Sequence, residues 1–471
     1  MLNPVTNAIE DQLRGLLPEA CFRPLTAGYL EEPRGRYNST EGLLLAPETT
    51  QQVSDIVALA HRESVPIIPY GGGTGLVGGQ IAPSGPKPII LTLERMNRIR
   101  AVYPTENVMI AEAGVILADI QACADENDRL FALSLASEGS ARIGGNLATN
   151  AGGVNVLRYG NAREQCLGLE VVLPTGEIWN GLSRLRKDNT GYDLRNLMVG
   201  AEGSLGIITA AALKLHPKPV AQGTAFFTIK DPQAALELLA LANAQMGGGV
   251  SAFELVHRQG LQFLSETLPE VRQPFEQQPE WMVLLDVGLP HGLDPATALE
   301  ALFEAAVEAG LSDDGVIAQS QQQRADFWAL RENIPEANRR IGSVSSHDIS
   351  VPISRIPEFI QRGHQKLAEI GSFRINCFGH VGDGNLHYNV FPQPGKTRAD
   401  HEDQRSQIKT AVHDLVHEME GSVSAEHGIG RLKVDDLERY SDPTKLAMLK
   451  TIKTALDPKG IMNPGVIVRS L

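Results

Sequence analysis

The chain has 471 residues, with 42 Lys and Arg against 56 Asp and Glu, and therefore a net charge of −14. This acidic balance argues against nucleic-acid binding, because phosphate contacts need clustered cations. No apolar run approaches the roughly 18 residues of a membrane-spanning helix, and the N-terminal segment lacks the layout of a signal or transit peptide. The four cysteines lack paired spacing, which is typical of a reducing compartment. We expect a cytoplasmic location.

Residues 1–37 predict a short helix and a connector. From Gly42 to about Pro217, strand candidates dominate and a few helices separate them. The clearest helix is TTQQVSDIVALAHRE, whose Val53, Ile56, Val57 and Leu59 share one face. Strand candidates include GLLLAPET, VPIIPY, PIILTLE, NVMIAEAG, LGLEVVLPTG and GIITAAALKLHP.

A second region begins at TAFFTIK and alternates strands with helices. Two helices start with Asp-Pro, in which the Asp is the N-cap and the Pro occupies the first helical position, as in Asp231-Pro232. This order predicts an α+β domain with helices on one face of a sheet. A later helix contains His413-Asp414-Leu415-Val416-His417, and its apolar spacing predicts that both histidines lie at the surface.

The 46 glycines cluster in loops between strands. The first loop, residues 69–80, contains a formal GxGxxG at Gly73, Gly75 and Gly78. A dinucleotide-binding turn must open a helix, whereas the prolines of QIAPSGPKP prevent one here. We interpret the loop as a nest of backbone N–H groups that grips phosphate oxygens. A mobile surface loop is the alternative.

Three segments in order, PYGGGTGLVGG, IGGNLATNAGG with RYG, and GAEGSLGIIT, resemble the FAD domain of the vanillyl-alcohol-oxidase-type (PCMH) flavoproteins. Within that superfamily the chain resembles the D-2-hydroxyacid dehydrogenases, which act on D-lactate, D-2-hydroxyglutarate or glycolate. The resemblance covers residues 38–467. It implies an α+β fold with a two-subdomain FAD-binding domain and an α+β cap domain with an antiparallel sheet. The expected boundaries are 1–37, 38–217 for FAD, 218–450 for substrate and metal, and 451–471 returning to the FAD domain.

The resemblance also implies the residues that hold FAD. They are Pro69, Gly71, Gly72, Gly73, Thr74, Gly75, Leu76, Gln80, Glu138, Gly139, Ser140, Gly144, Gly145, Ala151, Gly152, Gly153, Gly203, Ile208 and Asn463. Some members of the superfamily attach flavin covalently through His or Cys. The first two loops contain no His, which favours noncovalent FAD, and Cys166 keeps the covalent alternative open.

A second constellation carries metal-ligand chemistry. His380 and His387 would face opposite sides of a straight strand, but the glycines between them can bend the chain. SAEHGIG adds Glu426 and His427. Two His and one Glu can form an open catalytic metal site; ordinary strand histidines and a surface turn are the alternative. Both segments resemble the metal-dependent branch of the family, which implies His380, His387 and Glu426 as ligands, His427 as the base, and Zn²⁺ before Mn²⁺ or Co²⁺.

The substrate carboxylate needs a planar cation. FWALREN resembles the family's WxxRE segment, which implies Arg331 as a catalytic and substrate-binding residue, with Asn389 as a further substrate contact. The chain departs from the D-2-hydroxyglutarate enzymes at Pro335 and Ser346, where those enzymes carry Thr and Lys. This departure allows a smaller acid such as D-lactate. Compensation by Arg339, Arg340 or His347 stays open.

These observations predict an enzyme that oxidises a D-2-hydroxy acid to the 2-keto acid by hydride transfer to FAD, with a divalent metal. We expect electrons to leave to a quinone, an electron-transferring flavoprotein or a cytochrome, which would bring the protein to a membrane only through that acceptor. A homodimer is a further expectation. The alternatives are a non-catalytic FAD-binding subunit of an oxidase complex and an FAD oxidase of another alcohol.

Overall fold

The computed structural model describes residues 1–469, which form two compact units. The first unit comprises residues 1–152, 160–218 and the described residues from Glu426 onward, and the second comprises residues 153–159 and 219–425. Residues 426–450, which we assigned to the substrate domain, thus cluster with the first unit. The expected domain boundaries stay a prediction. No helix within residues 1–469 is long and apolar enough to cross a membrane.

The first unit contains two main sheets. One is a parallel sheet in the order β1-β3-β2, and the other is an antiparallel sheet in the order β4-β5-β9-β7-β8. Their strands are β1 Leu43–Leu45, β2 Ile67–Tyr70, β3 Ile89–Thr92, β4 Ile99–Tyr103, β5 Val108–Glu112, β7 Cys166–Val172, β8 Ile178–Gly181 and β9 Ile207–Lys214. Two short strands, β6 Arg129–Leu130 and β10 His216–Pro217, pair antiparallel.

Helices of the first unit pack against these sheets, and the segment after the last of them, residues 457–469, is called the C-terminal strap. The sequence explains α2 well: the Thr49 side chain caps its first turn, and the four residues predicted to share its apolar face are 0–1% exposed. The helices are α1 Asn7–Leu16, α2 Thr50–Glu63, α3 Leu117–Glu126, α4 Ile143–Ala148, α6 Leu194–Met198, α13 Val434–Tyr440 and α14 Pro443–Leu456.

The second unit is built on one seven-stranded antiparallel sheet, in the order β14-β11-β13-β12-β16-β17-β15. The antiparallel pairing agrees with the expected cap domain. The strands are β11 Ala221–Ile229, β12 Val250–His257, β13 Trp281–Leu289, β14 Gly315–Ile317, β15 Ser345–Ser350, β16 Arg374–His380 and β17 Asn385–Phe391. The helices are α5 Val156–Tyr159, α7 Pro232–Met246, α8 Arg258–Thr267, α9 Pro295–Glu308, α10 Gln321–Ile341, α11 Ile356–Ile370 and α12 Arg405–Glu418.

Helices cover both faces of this sheet, so the expectation of helices on one face was wrong. Neighbouring strand residues point to opposite faces: Phe226 packs against Phe327 of α10, whereas Phe227 packs against Phe303 of α9. The strands of the sheet interior are apolar on both faces, a pattern that requires two covering layers. The predicted Asp caps are confirmed, because the Asp231 carboxylate accepts from the first turn of α7 and the Asp294 carboxylate from that of α9.

Candidate functional site

The three glycine segments meet in the first unit because their glycines permit close backbone contact. A Cβ atom at Gly72 would lie 2.1 Å from the carbonyl oxygen of Ser140. Gly203 has a φ of +70°, and its missing Cβ makes room for the Pro69 ring. The first loop therefore packs directly on the second loop at Gly72 and on the third segment at Pro69.

These segments line a partly open cavity, which we call the glycine cleft. Its walls consist largely of backbone and small side chains, which suits a large polar cofactor. The residues expected to hold FAD that line it are Pro69, Gly71, Gly72, Gly73, Thr74, Gly75, Gln80, Gly144, Gly145, Gly203, Ile208 and Asn463. His427, the expected base, lines the same cleft.

The other residues expected to hold FAD lie outside the lining of the cleft: Leu76, Glu138, Gly139, Ser140, Ala151, Gly152 and Gly153. Glu138 has a structural role, since its carboxylate accepts hydrogen bonds from Gln121 Nε2 at 3.1 Å and Ser134 Oγ at 3.3 Å. Gly153 belongs to the second unit. Cys166 is buried at the start of β7, and burial raises the pKa of its thiol to about 12.

The C-terminal strap completes one wall of the cleft through Asn463. Its side-chain amide donates to the carbonyl oxygens of Gly79 at 2.9 Å and Glu202 at 2.8 Å, and its backbone N–H donates to Ile67 O at 2.9 Å. Buried Lys453 donates to the carbonyl oxygen of Met462 at 2.7 Å and so holds the strap. Asn463 thus joins the first glycine loop to the third segment.

Glu202 is a cleft residue that we did not single out from the sequence. Its carboxylate accepts hydrogen bonds from the backbone N–H groups of Ile429 at 2.8 Å and Gly430 at 2.7 Å. Burial raises its pKa to about 7, against the opposing effect of these hydrogen bonds. The signal was an acid enclosed by glycines in GAEGS. Glu202 anchors the segment that directly follows His427.

In the second unit, a hairpin brings His380 and His387 together. His380 ends β16, residues 381–384 form the turn, and His387 lies in β17. The ring centroids are 5.8 Å apart, and the rings offer nitrogen atoms within 4.8 Å of each other. The glycines bend the chain as the sequence suggested, and two imidazoles at this separation can share one cation.

Glu254 of β12 is the second residue that sequence reasoning missed. Its fully buried carboxylate lies 2.6 Å from Nδ1 of His380 and accepts from Nε of Arg331 at 2.9 Å. Burial opposes ionisation, but His380 and Arg331 overcome it and lower the pKa of Glu254 to about 2. The signal in SAFELVH was an acid inside an otherwise apolar strand.

Arg331 and Asn389, the expected substrate contacts, both lie in the second unit. Arg331 is 5% exposed and stacks on the Phe378 ring, with its guanidinium carbon 4.8 Å from the ring centroid. Asn389 is opposite Asn376 in the sheet, and its amide oxygen accepts from the backbone N–H of His347 at 3.2 Å. Both side chains are fixed by protein contacts.

Arg339, Arg340 and His347 could replace the polar and charged groups that are missing at Pro335 and Ser346. In the structure, all three make other contacts. Arg339 and Arg340 form salt bridges with Glu336 on the surface of α10, at 2.7 and 2.9 Å. His347 is buried, and its ring centroid lies 5.2 Å from that of His413.

His413 is therefore in the core, and the expectation that it lies at the surface was wrong, because α12 packs against β15. His417 is exposed, as expected.

The chain reaches Glu426 along the edge of the same sheet. Ser422 pairs with Ser350 of β15 in an isolated β-bridge, and the N–H of Ala425 donates to the carbonyl oxygen of Asp348 at 3.4 Å. Asp348 is opposite His387 across β15 and β17. Glu426 follows Ala425 directly in the sequence.

Comparison with known families identifies both regions of the chain. Residues 42–181 match the family described as "FAD binding domain", and residues 218–467 match "FAD linked oxidases, C-terminal domain". The chain belongs to the FAD-linked oxidase family. Family membership confirms the expected class of enzyme, an FAD-linked oxidoreductase.

Several members of the FAD-linked oxidase family are similar along nearly the whole chain. The D-2-hydroxyglutarate dehydrogenase of Arabidopsis thaliana, described as mitochondrial, is 35% identical over 91% of this chain and 75% of its own length. The rat enzyme of the same name is 36% identical over 90% of this chain and 77% of its own length. That of Xanthomonas citri is 34% identical over 89% and 87%.

Solved structures confirm the fold of this FAD-linked oxidase family member. p-Cresol methylhydroxylase is 17% identical, with a TM-score of 0.78 over 100% of this chain and 99% of its own. Alkyldihydroxyacetonephosphate synthase is 17% identical, with a TM-score of 0.73 over 98% and 85%. The predicted α+β fold of vanillyl-alcohol-oxidase (PCMH) type is therefore confirmed.

Proposed function

We propose that the chain oxidises a D-2-hydroxy acid to the corresponding 2-keto acid, with FAD as the hydride acceptor and a divalent metal ion as an essential component. The observation that carries the proposal is His427, an imidazole on the wall of the glycine cleft. A potential general base beside a flavin site suits oxidation of a carbon that carries a hydroxyl group. The names of the relatives support the same reaction class.

The proposed metal ligands are His380, His387 and Glu426. The donor set fits a divalent ion with an open coordination position, because two imidazoles and one carboxylate are typical of catalytic sites. His380 also has the carboxylate partner that metal-binding histidines commonly have. Zn²⁺ is the first choice and Mn²⁺ or Co²⁺ the next. A bound ion would supply Lewis acidity that lowers the pKa of the substrate hydroxyl.

The remaining steps belong to side chains of this chain. A neutral His427 takes the proton from the substrate hydroxyl oxygen, and bound FAD would supply the acceptor for the hydride from the carbon that carries this hydroxyl. Arg331 binds the substrate carboxylate, for which its planar guanidinium is suited, and Asn389 orients the substrate. The backbone N–H groups of the glycine cleft would hold FAD, without a covalent bond.

A separate part of the proposal is whether the substrate carries one carboxylate or two. Similarity to D-2-hydroxyglutarate dehydrogenases favours a substrate with two carboxylates. Pro335 and Ser346 supply no charge for the second carboxylate, and Arg339 and Arg340 pair with Glu336 instead. This local loss of cations favours D-lactate as the second candidate.

We also propose that the reduced flavin passes its electrons to a quinone, an electron-transferring flavoprotein or a cytochrome rather than to NAD⁺. The four cysteines are free thiols, three of them buried, which supports a reducing, cytoplasmic location. Any membrane association would come through the acceptor. A homodimer remains part of the proposal, to be tested by the mass of the particle in solution.

The test is anaerobic bleaching of the bound flavin by a panel of D- and L-2-hydroxy acids, before and after chelation. We expect one D-acid to bleach the flavin, a chelator to abolish bleaching, and zinc to restore it. His427→Gln should slow bleaching by about 100-fold or more, as loss of a general base does. The matched control is His291→Gln, since His291 is exposed in a loop of the second unit.

Other outcomes distinguish the alternatives. Bleaching that survives chelation would remove the metal from the proposal. Rapid peroxide formation with another alcohol, and no bleaching by the acids, would favour an alcohol oxidase. A flavin that no donor bleaches would point to a non-catalytic subunit, and stoichiometric NAD⁺ reduction would overturn the proposed acceptor.

A further inference from the structure

One buried carboxylate, that of Glu254, is shared by two proposed functional residues. Its Oε1 atom lies 2.6 Å from Nδ1 of His380; its Oε2 atom accepts a hydrogen bond from Nε of Arg331 at 2.9 Å and lies 2.8 Å from Nη2 in the same ion pair. The Glu254 side chain is 0% exposed and that of Arg331 is 6% exposed. Both contacts are therefore direct and lie where bulk solvent does not reach.

The carboxylate determines which nitrogen of His380 carries the proton. An ionised carboxylate only accepts hydrogen bonds, so Nδ1 of His380 must be the N–H donor at 2.6 Å. The lone pair of the neutral ring is then on Nε2, which is the form that a metal ion needs. Such carboxylate–histidine pairs orient the ring and raise its basicity.

The same carboxylate fixes Arg331 in the plane of its guanidinium. Glu254 occupies the Nε and Nη2 edge, while the Phe378 ring packs against the guanidinium face at 4.8 Å. The N–H groups of Nη1 point away from this edge, so an incoming carboxylate would have to bind on their side of the guanidinium. Arg331 is thus presented in one orientation rather than as a flexible cation.

We propose that Glu254 is a positioning residue that sets the tautomer of His380 for metal binding and the orientation of Arg331 for the substrate carboxylate. This inference rests on the proposed function and deepens it. Glu254 does not contact substrate or FAD in this scheme. It acts through the two residues that flank it, so metal affinity and substrate affinity should both depend on it.

A second acid–arginine pair in the same unit provides a matched control. Arg324 lies seven residues before Arg331 on α10, on the same face of the helix. It donates to Asp286 of β13 at 2.9 and 3.2 Å, and Asp286 is also buried. The two pairs have the same chemistry, but within residues 1–469 Asp286 has no histidine among its hydrogen-bond partners.

The experiment measures zinc affinity of the full-length, flavin-loaded protein by competition with a chromophoric chelator, without turnover. We expect Glu254→Gln to weaken zinc binding by about 10- to 100-fold, because an amide cannot accept from both His380 and Arg331. Asp286→Asn should keep the zinc affinity of the parent protein. If Glu254→Gln fails to fold, the double variant Glu254→Gln, Arg331→Gln removes the unpaired charge and takes its place.

A folded Glu254→Gln or double variant with zinc affinity within about twofold of the parent would overturn the inference. Equal losses in Glu254→Gln and Asp286→Asn would also overturn it, since they would reflect loss of a buried ion pair alone. Absence of zinc binding by the parent protein would instead contradict the proposed function. As a second readout, Glu254→Gln should raise KM for the acid more than Asp286→Asn does.

Discussion

Gly72 lies so close to Ser140 that a Cβ atom at Gly72 would be 2.1 Å from the Ser140 carbonyl oxygen. The contact joins two loops separated by almost seventy residues of sequence, and both loops contribute to the glycine cleft or its support. A backbone carbonyl cannot swing away as a side chain can. A substitution at Gly72 therefore tests whether the glycine cleft tolerates separation of the first and second loops.

Gly72→Ala should lower both stability and flavin content. We expect a cost of about 1–3 kcal/mol, typical of overpacking at a site that cannot relax, and partial loss of bound FAD. Thermal unfolding and the ratio of flavin to protein absorbance measure the two effects. The control is Gly248→Ala, where nothing lies within 4 Å of the added Cβ. Equal flavin content in the two variants would contradict the close packing of the loops.

The raised pKa of Glu202 predicts a pH dependence of stability. Its pKa of about 7 exceeds its ordinary value of 4.5, so the folded protein keeps a proton that the unfolded chain releases. The stabilisation that Glu202 contributes is fully present below its ordinary pKa of 4.5. It is lost as the pH rises toward about 7, the pKa of Glu202 in the folded protein. In flavin-free protein, the melting temperature of Glu202→Gln relative to the parent should therefore increase between about pH 4.5 and pH 7. A difference that stays constant over this range would be inconsistent with the raised pKa of Glu202.

Arg331→Lys should impair substrate binding more than folding. A lysine cannot donate to Glu254 and to a substrate carboxylate with the fixed fork of arginine. Loss of one charge-assisted hydrogen bond predicts a fall in kcat/KM of about 10-fold or more. Steady-state kinetics with the acid identified by flavin bleaching measure it. Arg339→Lys is the matched control on the same helix, since Arg339 is exposed and contacts Glu336. Similar kinetics for both variants would remove Arg331 from the substrate site.

The flavin should dissociate when the protein is denatured by acid. Cys166, the thiol that kept a covalent link open, is buried, has a pKa of about 12, and is absent from the lining of the glycine cleft. A thiol in this state does not react as a nucleophile. After acid precipitation the yellow colour should remain in the supernatant. Colour retained by the pellet, and lost in Cys166→Ser, would contradict noncovalent binding.

The sequence predicted those features that depend on local spacing. The run TAFFTIK predicted a strand, and Asp231-Pro232 predicted the start of a helix. It did not reveal that helices cover both faces of the cap sheet, because a strand buried on both faces has no alternating pattern. His413 was misplaced for a similar reason: its helix packs on two sides, which the apolar spacing of one face does not reveal.

Glycine-rich segments and the two histidines marked the site because their residue types are unusual at those spacings. Glu202 and Glu254 were missed because their function lies in contacts with residues distant in sequence. Glu254 accepts a hydrogen bond from Arg331, 77 positions away, and lies beside His380, 126 positions away. A single acid in an apolar strand indicates that a partner exists, but only the register of the sheet and the position of α10 reveal which partner it is.

The hydrogen bonds of Asn463 also constrain the order of events during biosynthesis. Asn463 donates to a carbonyl that is 384 positions earlier in the chain, and to a second that is 261 positions earlier. The second unit lies between these segments in the sequence, so it leaves the ribosome before the last wall of the cleft does. Stable flavin retention should therefore require synthesis of the chain through residue 463, and a nascent chain arrested before that residue should not retain the cofactor.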